Sequence, residues 1–204
     1  MHIIGLTGVA GSGKDTVADL FVKGHGFTKI GFADALYSEV SEAFGVSVDT
    51  LRNRTTKESP MTELELINCH DMDFLDVVTV DRHTPLSPRR VLQWWGTEYR
   101  RAQNEDYWVN EMARRTAGES AVVIPDVRFQ NEANMILNHG GTIICVERPG
   151  YEAVNDHVSE HAEIDARFII SNDGSVFDLQ RSVQSLFSLT KRRKLLPNSL
   201  PDSP

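Results

Sequence analysis

Residues 8–16, GVAGSGKDT, decide the fold. Gly8, Gly13 and Lys14 stand at the spacing of a phosphate-binding loop, with Gly11 and Ser12 between them. In such a loop the glycines let backbone N–H groups converge on phosphate oxygens, and the following helix presents its positive end. Ser12 adds a hydroxyl, and Lys14 has the length to reach β- and γ-phosphates. Before the loop, HIIGLT at 2–7 is a short apolar run that suits a buried strand. After it, Val17, Leu20, Phe21 and Gly24 recur at helical spacing. Strand, glycine loop, helix is the context the motif requires, and it outweighs the reading of a plain glycine-rich turn.

Asp15 is the oddity, because the usual pattern has serine or threonine after the lysine. A carboxylate beside a triphosphate is repelled unless it faces Mg²⁺, Lys14 or an arginine. Alternatively, it caps the helix N-terminus, where negative charge is favourable. Sequence leaves both readings open. Thr16, one position on, can supply the hydroxyl expected near a metal.

The 204 residues suffice for one α/β domain with a sizeable core and a small inserted subdomain. With 21 basic and 29 acidic residues the formal net charge is −8, which disfavours non-specific nucleic-acid binding. An anionic small molecule needs only a local arginine cluster. Cys69 and Cys145 lie far apart and form no metal-type pair, and no signal-peptide pattern opens the sequence. A reducing cytoplasm is therefore expected. No apolar run approaches the roughly 20 residues that span a bilayer, so no membrane association is expected.

Along the chain, a second strand is expected over Phe27–Phe32 and a helix over Ala35–Phe44. The stretch 46–87 is polar and weakly periodic and reads as an insertion or mobile subdomain within a single domain of residues 1–188. Pro88 can open the next helix, with Val91, Leu92, Trp95 and Tyr99 on its apolar face. Another helix is expected over Tyr107–Thr116. AVVI at 121–124 reads as a buried strand, followed by a helix from Phe129 that Gly140-Gly141 stops. TIICVE at 142–147 and RFII at 167–170 read as strands. SNDGS turns into a last helix, with Ser175 and Asp178 arranged like a capping box. The remainder, 189–204, has no core pattern and reads as a disordered tail. Alternating strands and helices predict an α/β, three-layer phosphate-loop fold with a mostly parallel, roughly five-stranded sheet covered on both faces.

Asp126 follows an apolar strand, where phosphate-loop proteins place a second acidic residue near the metal or its waters. Arg128, two residues on, can touch the transferring phosphate or the acceptor; the plain alternative is an ion pair between the two. A position at the carboxyl edge of a parallel sheet favours function. In RRVLQWWGTEYRRAQNEDYWV, Gln93, Thr97 and Arg100 or Arg101 share one helical face, opposite Val91, Trp95 and Tyr99. A glutamine with an arginine one or two turns on can bind a base edge and a phosphate. Gly96 can break this helix and change which side chains align. DHVSEHAE at 156–163 clusters His157, Ser159, Glu160 and His161. No further ligand stands at zinc spacing and no glycine elbow surrounds Ser159, so this reads as a polar loop over the nucleotide site or a solvated turn.

Together, GVAGSGKDTVA, GFADAL, LQWWGTEYRR with YWV, IPDVRFQNEA, GGTIICVERPG, and DHVSEH leading to SNDGS resemble the bacteriophage-type deoxynucleoside monophosphate kinases. The resemblance covers most of the chain except 46–84 and the tail. It implies ATP-dependent, Mg²⁺-assisted phosphorylation of a deoxynucleoside monophosphate to the diphosphate. It also makes Lys-Asp-Thr the family's own variant of the loop and Thr16 the preferred hydroxyl on the metal side. The site residues implied are Lys14 and Arg128 at the transferring phosphate, with Asp126 and Asp15 organising metal or arginines. Asp34 of GFADAL, Gln93, Thr97, Arg100 and Arg101 are acceptor candidates, and Arg148 beside Pro149-Gly150 is placed to close over phosphate as part of a lid. A host bacterial cytoplasm fits a viral source, and the oligomeric state stays open, a homodimer among the options.

Two rivals carry different expectations. The opening GLTGVAGSGK is also similar to dephospho-coenzyme A kinases, which lack the LQ-x-x-GT segment. A nucleotide-dependent switch of the GTPase type needs an Asn-Lys-x-Asp run, and none occurs.

Overall fold

A computed structural model describes residues 1–150 and 164–193. The chain divides into two compact units, one formed by Met1–Ile30 with Gly118–Pro204 and the other by Gly31–Ala117.

In the first unit, strands β1 (His2–Thr7), β2 (Thr28–Lys29), β3 (Ala121–Ile124), β4 (Thr142–Glu147) and β5 (Phe168–Ser171) form one sheet in the order β2-β3-β1-β4-β5. Every neighbouring pair is parallel. The five-stranded parallel sheet matches the expectation. Alternation along β1 divides its side chains between two layers. Ile4 and Leu6 join a core with Val17, Ala18 and Phe21 of helix α1 (Lys14–His25) and the apolar residues Leu179, Val183, Leu186 and Phe187 of the last helix. On the opposite face Gly5 sits so close to Val127, Ile136 and Ile143 that a Cβ there would crowd all three. The absent side chain lets the helix Gln130–Asn138, which carries Ile136, lie directly against the sheet.

The second unit is helical among its described elements: α2 (Phe32–Phe44), α3 (Val48–Arg52), α4 (Met72–Val77), α5 (Pro88–Gln93) and α6 (Tyr107–Arg115). Two short 3₁₀ turns, Thr62–Leu64 and Leu66–Asn68, lie between α3 and α4. The unit is wider than the expected insertion at 46–87, and within that stretch Leu51, Leu64, Leu66 and Phe74 are fully buried. Phe74, Trp95 and Tyr99 form an aromatic cluster, with ring centroids 4.6, 5.6 and 5.2 Å apart.

Several boundaries depart from expectation. The strand predicted over 27–32 is only Thr28–Lys29, because α2 begins at Phe32. The Gly31 N–H donates to the Asp34 carboxylate at 2.7 Å, which starts the helix three residues early. From Trp94 to Arg101 the chain widens into π-helical turns rather than breaking at Gly96. The buried Gly96 carbonyl accepts the Trp108 indole N–H at 3.0 Å. Helices α7 (Gln130–Asn138) and α8 (Val176–Arg193) complete the first unit. Ser175 and Asp178 make the expected reciprocal cap, with the Ser175 N–H donating to the Asp178 carboxylate and the Asp178 N–H to the Ser175 hydroxyl. Helix α8 runs on to Arg193, past the expected domain end at 188, and the rest of the expected tail lies outside the described residues.

Candidate functional site

The loop after β1 lies at the carboxyl ends of the parallel strands, where open α/β sheets bind ligands. Gly13 is left-handed at φ 105°, which turns the chain into α1 with Lys14 as its first residue. The Lys14 ammonium donates to the Gly8 carbonyl at 2.6 Å and the Val9 carbonyl at 2.8 Å, spanning the loop it heads. Ser12 is fully buried, and its hydroxyl has no hydrogen-bond partner. A buried hydroxyl without a partner is costly in a native fold, and a bound phosphate oxygen is a fitting partner for it.

Two strands away from β1, Lys29 of β2 reaches Asp15 at 3.0 Å and Asp19 at 3.1 Å. Burial works to lower the Lys29 pKa, but hydrogen bonds to the two aspartates outweigh it and hold the ammonium above its usual value. Of the alternatives left open for Asp15, the geometry gives it a cationic partner, and that partner is a lysine outside the loop.

Asp126 and Arg128 follow β3 in the same unit. The Val127 N–H donates to the Leu6 carbonyl at 3.1 Å, which draws 126–128 along the end of β1 and beside the loop. Glu132 fixes this turn. Its carboxylate, only 3% exposed, accepts the N–H of Arg128 at 2.7 Å and of Phe129 at 3.2 Å. On the other flank, the Asn172 side chain after β5 donates to the Ser12 carbonyl at 2.8 Å. Neither Glu132 nor Asn172 was singled out from sequence. A glutamate at the third helical position is a capping signal that pointed to the first, whereas SNDGS read only as a turn.

For a divalent cation, the Thr16 hydroxyl and Asp126 carboxylate are hard oxygen donors of the kind Mg²⁺ takes, and both stand at strand or helix ends of this unit. Among the described residues no cluster of three histidine, cysteine or acidic side chains could hold a metal. Arg148 is exposed just beyond β4. His157, Ser159, Glu160 and His161 lie outside the described residues.

The remaining acceptor candidates, Asp34, Gln93, Thr97, Arg100 and Arg101, belong to the second unit. Asp34 caps α2 and pairs with Arg52. The Arg52 guanidinium lies 4.9 Å from the centroid of the Tyr37 ring, and the Lys57 ammonium donates to the Tyr37 hydroxyl at 2.8 Å. This basic cluster around Tyr37 draws on the stretch that sequence left without a role. Gln93 and Thr97 are half-buried. Arg101 donates to the Glu105 carbonyl at 3.2 Å. Arg100 departs from the expected polar face: its Nε donates to Glu39 at 2.7 Å, and its guanidinium lies over Tyr99 and Tyr107. Glu39 also accepts the Trp95 indole N–H at 2.8 Å and the Tyr107 hydroxyl at 2.6 Å. This network edges a cleft of about 490 Å³ lined by Glu39, His70, Asp71, Trp95 and Arg100, among others. Its volume is in the range of small-molecule sites.

A parallel sheet whose first strand passes through a left-handed glycine into a helix headed by lysine defines the phosphate-loop class of nucleotide-binding folds. A family model described as deoxynucleotide monophosphate kinase matches residues 36–183. The chain belongs to that family. It is 31% identical over 189 residues to a protein of Acanthamoeba polyphaga mimivirus provisionally named deoxynucleotide monophosphate kinase, covering 85% of this chain and 86% of the relative. It is 25% identical to the deoxynucleotide monophosphate kinase of Enterobacteria phage T4, covering 91% and 98%. Among solved structures, dephospho-CoA kinase from Campylobacter jejuni is similar at a TM-score of 0.47 and 14% identity, covering 95% and 100%. No helix among the described residues is long and apolar enough to cross a membrane.

Proposed function

We propose that the chain transfers the terminal phosphoryl group of ATP to the 5′-phosphate of a deoxynucleoside monophosphate, with Mg²⁺. The observation that carries the proposal is the loop itself, with a left-handed Gly13, Lys14 at the head of α1 and the buried, partnerless hydroxyl of Ser12. An acceptor phosphate is already anionic near neutral pH, so the reaction needs no serine–histidine apparatus. The protein's part is positioning and charge neutralisation.

In this reading Gly11, Ser12, Gly13 and Lys14 hold the donor phosphates, and Lys14 leaves the Gly8 and Val9 carbonyls for phosphate oxygens. Arg128, aimed by Glu132, neutralises charge on the transferring group. Thr16 and Asp126 would hold Mg²⁺, directly or through water, and the ion when bound would offset charge on the donor oxygens. Arg148 would close over phosphate. Gln93, Thr97 and Arg101 would meet the acceptor, while Asp34 and Arg100 frame its site through Arg52 and Glu39. The setting proposed is the cytoplasm of an infected host, in keeping with the viral relatives.

The test is ADP release from ATP and Mg²⁺ against the four common deoxynucleoside monophosphates, their ribose counterparts, dephospho-coenzyme A and no acceptor. Turnover confined to deoxynucleoside monophosphates is the expected result. Turnover only with dephospho-coenzyme A would keep the loop and overturn the acceptor. Hydrolysis independent of any acceptor would favour a switch.

A further inference from the structure

Asp15 stands next to Lys14 in the first turn of α1, where the helix's positive end and the donor phosphates meet. Without a partner, its carboxylate would add negative charge where a triphosphate brings several more. It would also compete with those phosphates for the favourable field of the helix N-terminus. Lys29 stands opposite it. Its ammonium sits between Asp15 at 3.0 Å and Asp19 at 3.1 Å, two carboxylates one helical turn apart. Held by both, the ammonium is fixed beside α1.

We infer that Lys29 is a positioning residue of the donor site: it neutralises Asp15 and keeps that carboxylate engaged on the β2 side of α1, off the phosphates and off the metal. Asp19 is the second anchor that fixes the ammonium. The inference rests on the reading of residues 8–14 as the donor-phosphate loop. It departs from the sequence expectation in giving Asp15 no direct part in metal binding or transfer. The side chains involved are one-third to one-half exposed. Exposed ion pairs contribute little to stability, so the effect belongs to binding rather than to folding.

The test is the dissociation constant of ATP with Mg²⁺ by titration calorimetry, which requires no acceptor. It compares the wild type with Lys29→Met, Lys29→Arg, Asp15→Asn and the double variant Lys29→Met/Asp15→Asn. Lys29→Met is expected to weaken binding roughly fivefold at low ionic strength, and the loss should shrink as salt screens the exposed carboxylate. Lys29→Arg keeps the charge and should bind within about twofold of wild type. In the Asp15→Asn background, Lys29→Met should cost less than about twofold, because the charge in the first turn of α1 is gone and Asp19 lies a full turn further from the loop. A loss of equal size in both backgrounds, or no loss in either, overturns the inference. Thermal unfolding of each variant guards against misreading a folding defect, since a merely structural Lys29 would lower Tm in both backgrounds alike. Lys14→Ala separates the two levels. If it abolishes ATP binding while Lys29→Met binds normally, the loop stands and the clamp falls; if it binds ATP normally, both fall.

Discussion

Asn172 is the latch of the phosphate loop: its side-chain N–H donates to the Ser12 carbonyl at 2.8 Å, while its own backbone N–H donates to the Glu147 carbonyl at 2.7 Å. The loop after β1 is thereby tied to the ends of β4 and β5. The same amide fills the space beside Gly13, where an added Cβ would overlap Asn172 Nδ2. Asn172→Ala removes one hydrogen bond, about 1 kcal/mol, and should raise the Kd for ATP roughly fivefold with little change in Tm. Gly13→Ala meets both the overlap and a left-handed φ that non-glycine residues adopt at a cost of order 1–3 kcal/mol. It should bind ATP far more weakly than Asn172→Ala. Unchanged ATP binding by Asn172→Ala would refute the latch.

Glu132 and Arg128 should separate in a similar comparison. On the role proposed for it at the transferring group, Arg128→Ala is expected to cut kcat by about 10²–10³, leaving Tm near wild type. Glu132→Ala removes the one carboxylate oxygen that accepts both half-buried backbone N–H groups, of Arg128 and of Phe129. That should cost about 1–3 kcal/mol of stability as well as activity. A variant Arg128→Ala that lowers Tm at unchanged kcat would reduce Arg128 to the ion-pair role first weighed against catalysis.

These residues mark where sequence was informative. Strands β1, β3, β4 and β5 and the loop were legible because their signals are local, apolar runs of four to six residues closed by short polar or turn-forming stretches, whereas β2 is only two exposed residues. Positions 31–117 were harder to read because burial there is spread over helices as short as five or six residues and over 3₁₀ turns. Leu51, Leu64, Leu66 and Phe74 share no period, though all are buried. Trp95 and Tyr99 were recognisable as core, but the π-helical turns around them were not. An i→i+5 hydrogen-bonding pattern shifts which side chains align, and Arg100 meets Glu39 instead of facing outward with Gln93. Lys29 went unnoticed for a different reason: its partners Asp15 and Asp19 belong to another element, and no spacing rule links a lysine in an edge strand to a helix that precedes it.

The tyrosines of the second unit make its polar network observable. The Tyr99 hydroxyl donates to the Asp71 carboxylate at 3.0 Å, and the Tyr107 hydroxyl donates to Glu39 at 2.6 Å. Burial first, and then the hydrogen bond to a carboxylate that would repel a phenolate, push both phenols from the usual 10 up to about 12. The folded-state values are raised, so the unfolded chain loses these protons first. The stabilisation is fully present below pH 10 and is lost as pH rises through about 12. Denaturant midpoints should therefore fall across that window. Tyr107→Phe and Tyr99→Phe should each fall less steeply than wild type, since each lacks one of the linked protons. Phenolate absorbance near 295 nm gives the direct check, because each phenylalanine variant should lose one component titrating near 12. A component lost instead at the ordinary tyrosine value would mean that the hydroxyl faces water, and that Glu39 or Asp71 is not its partner in solution.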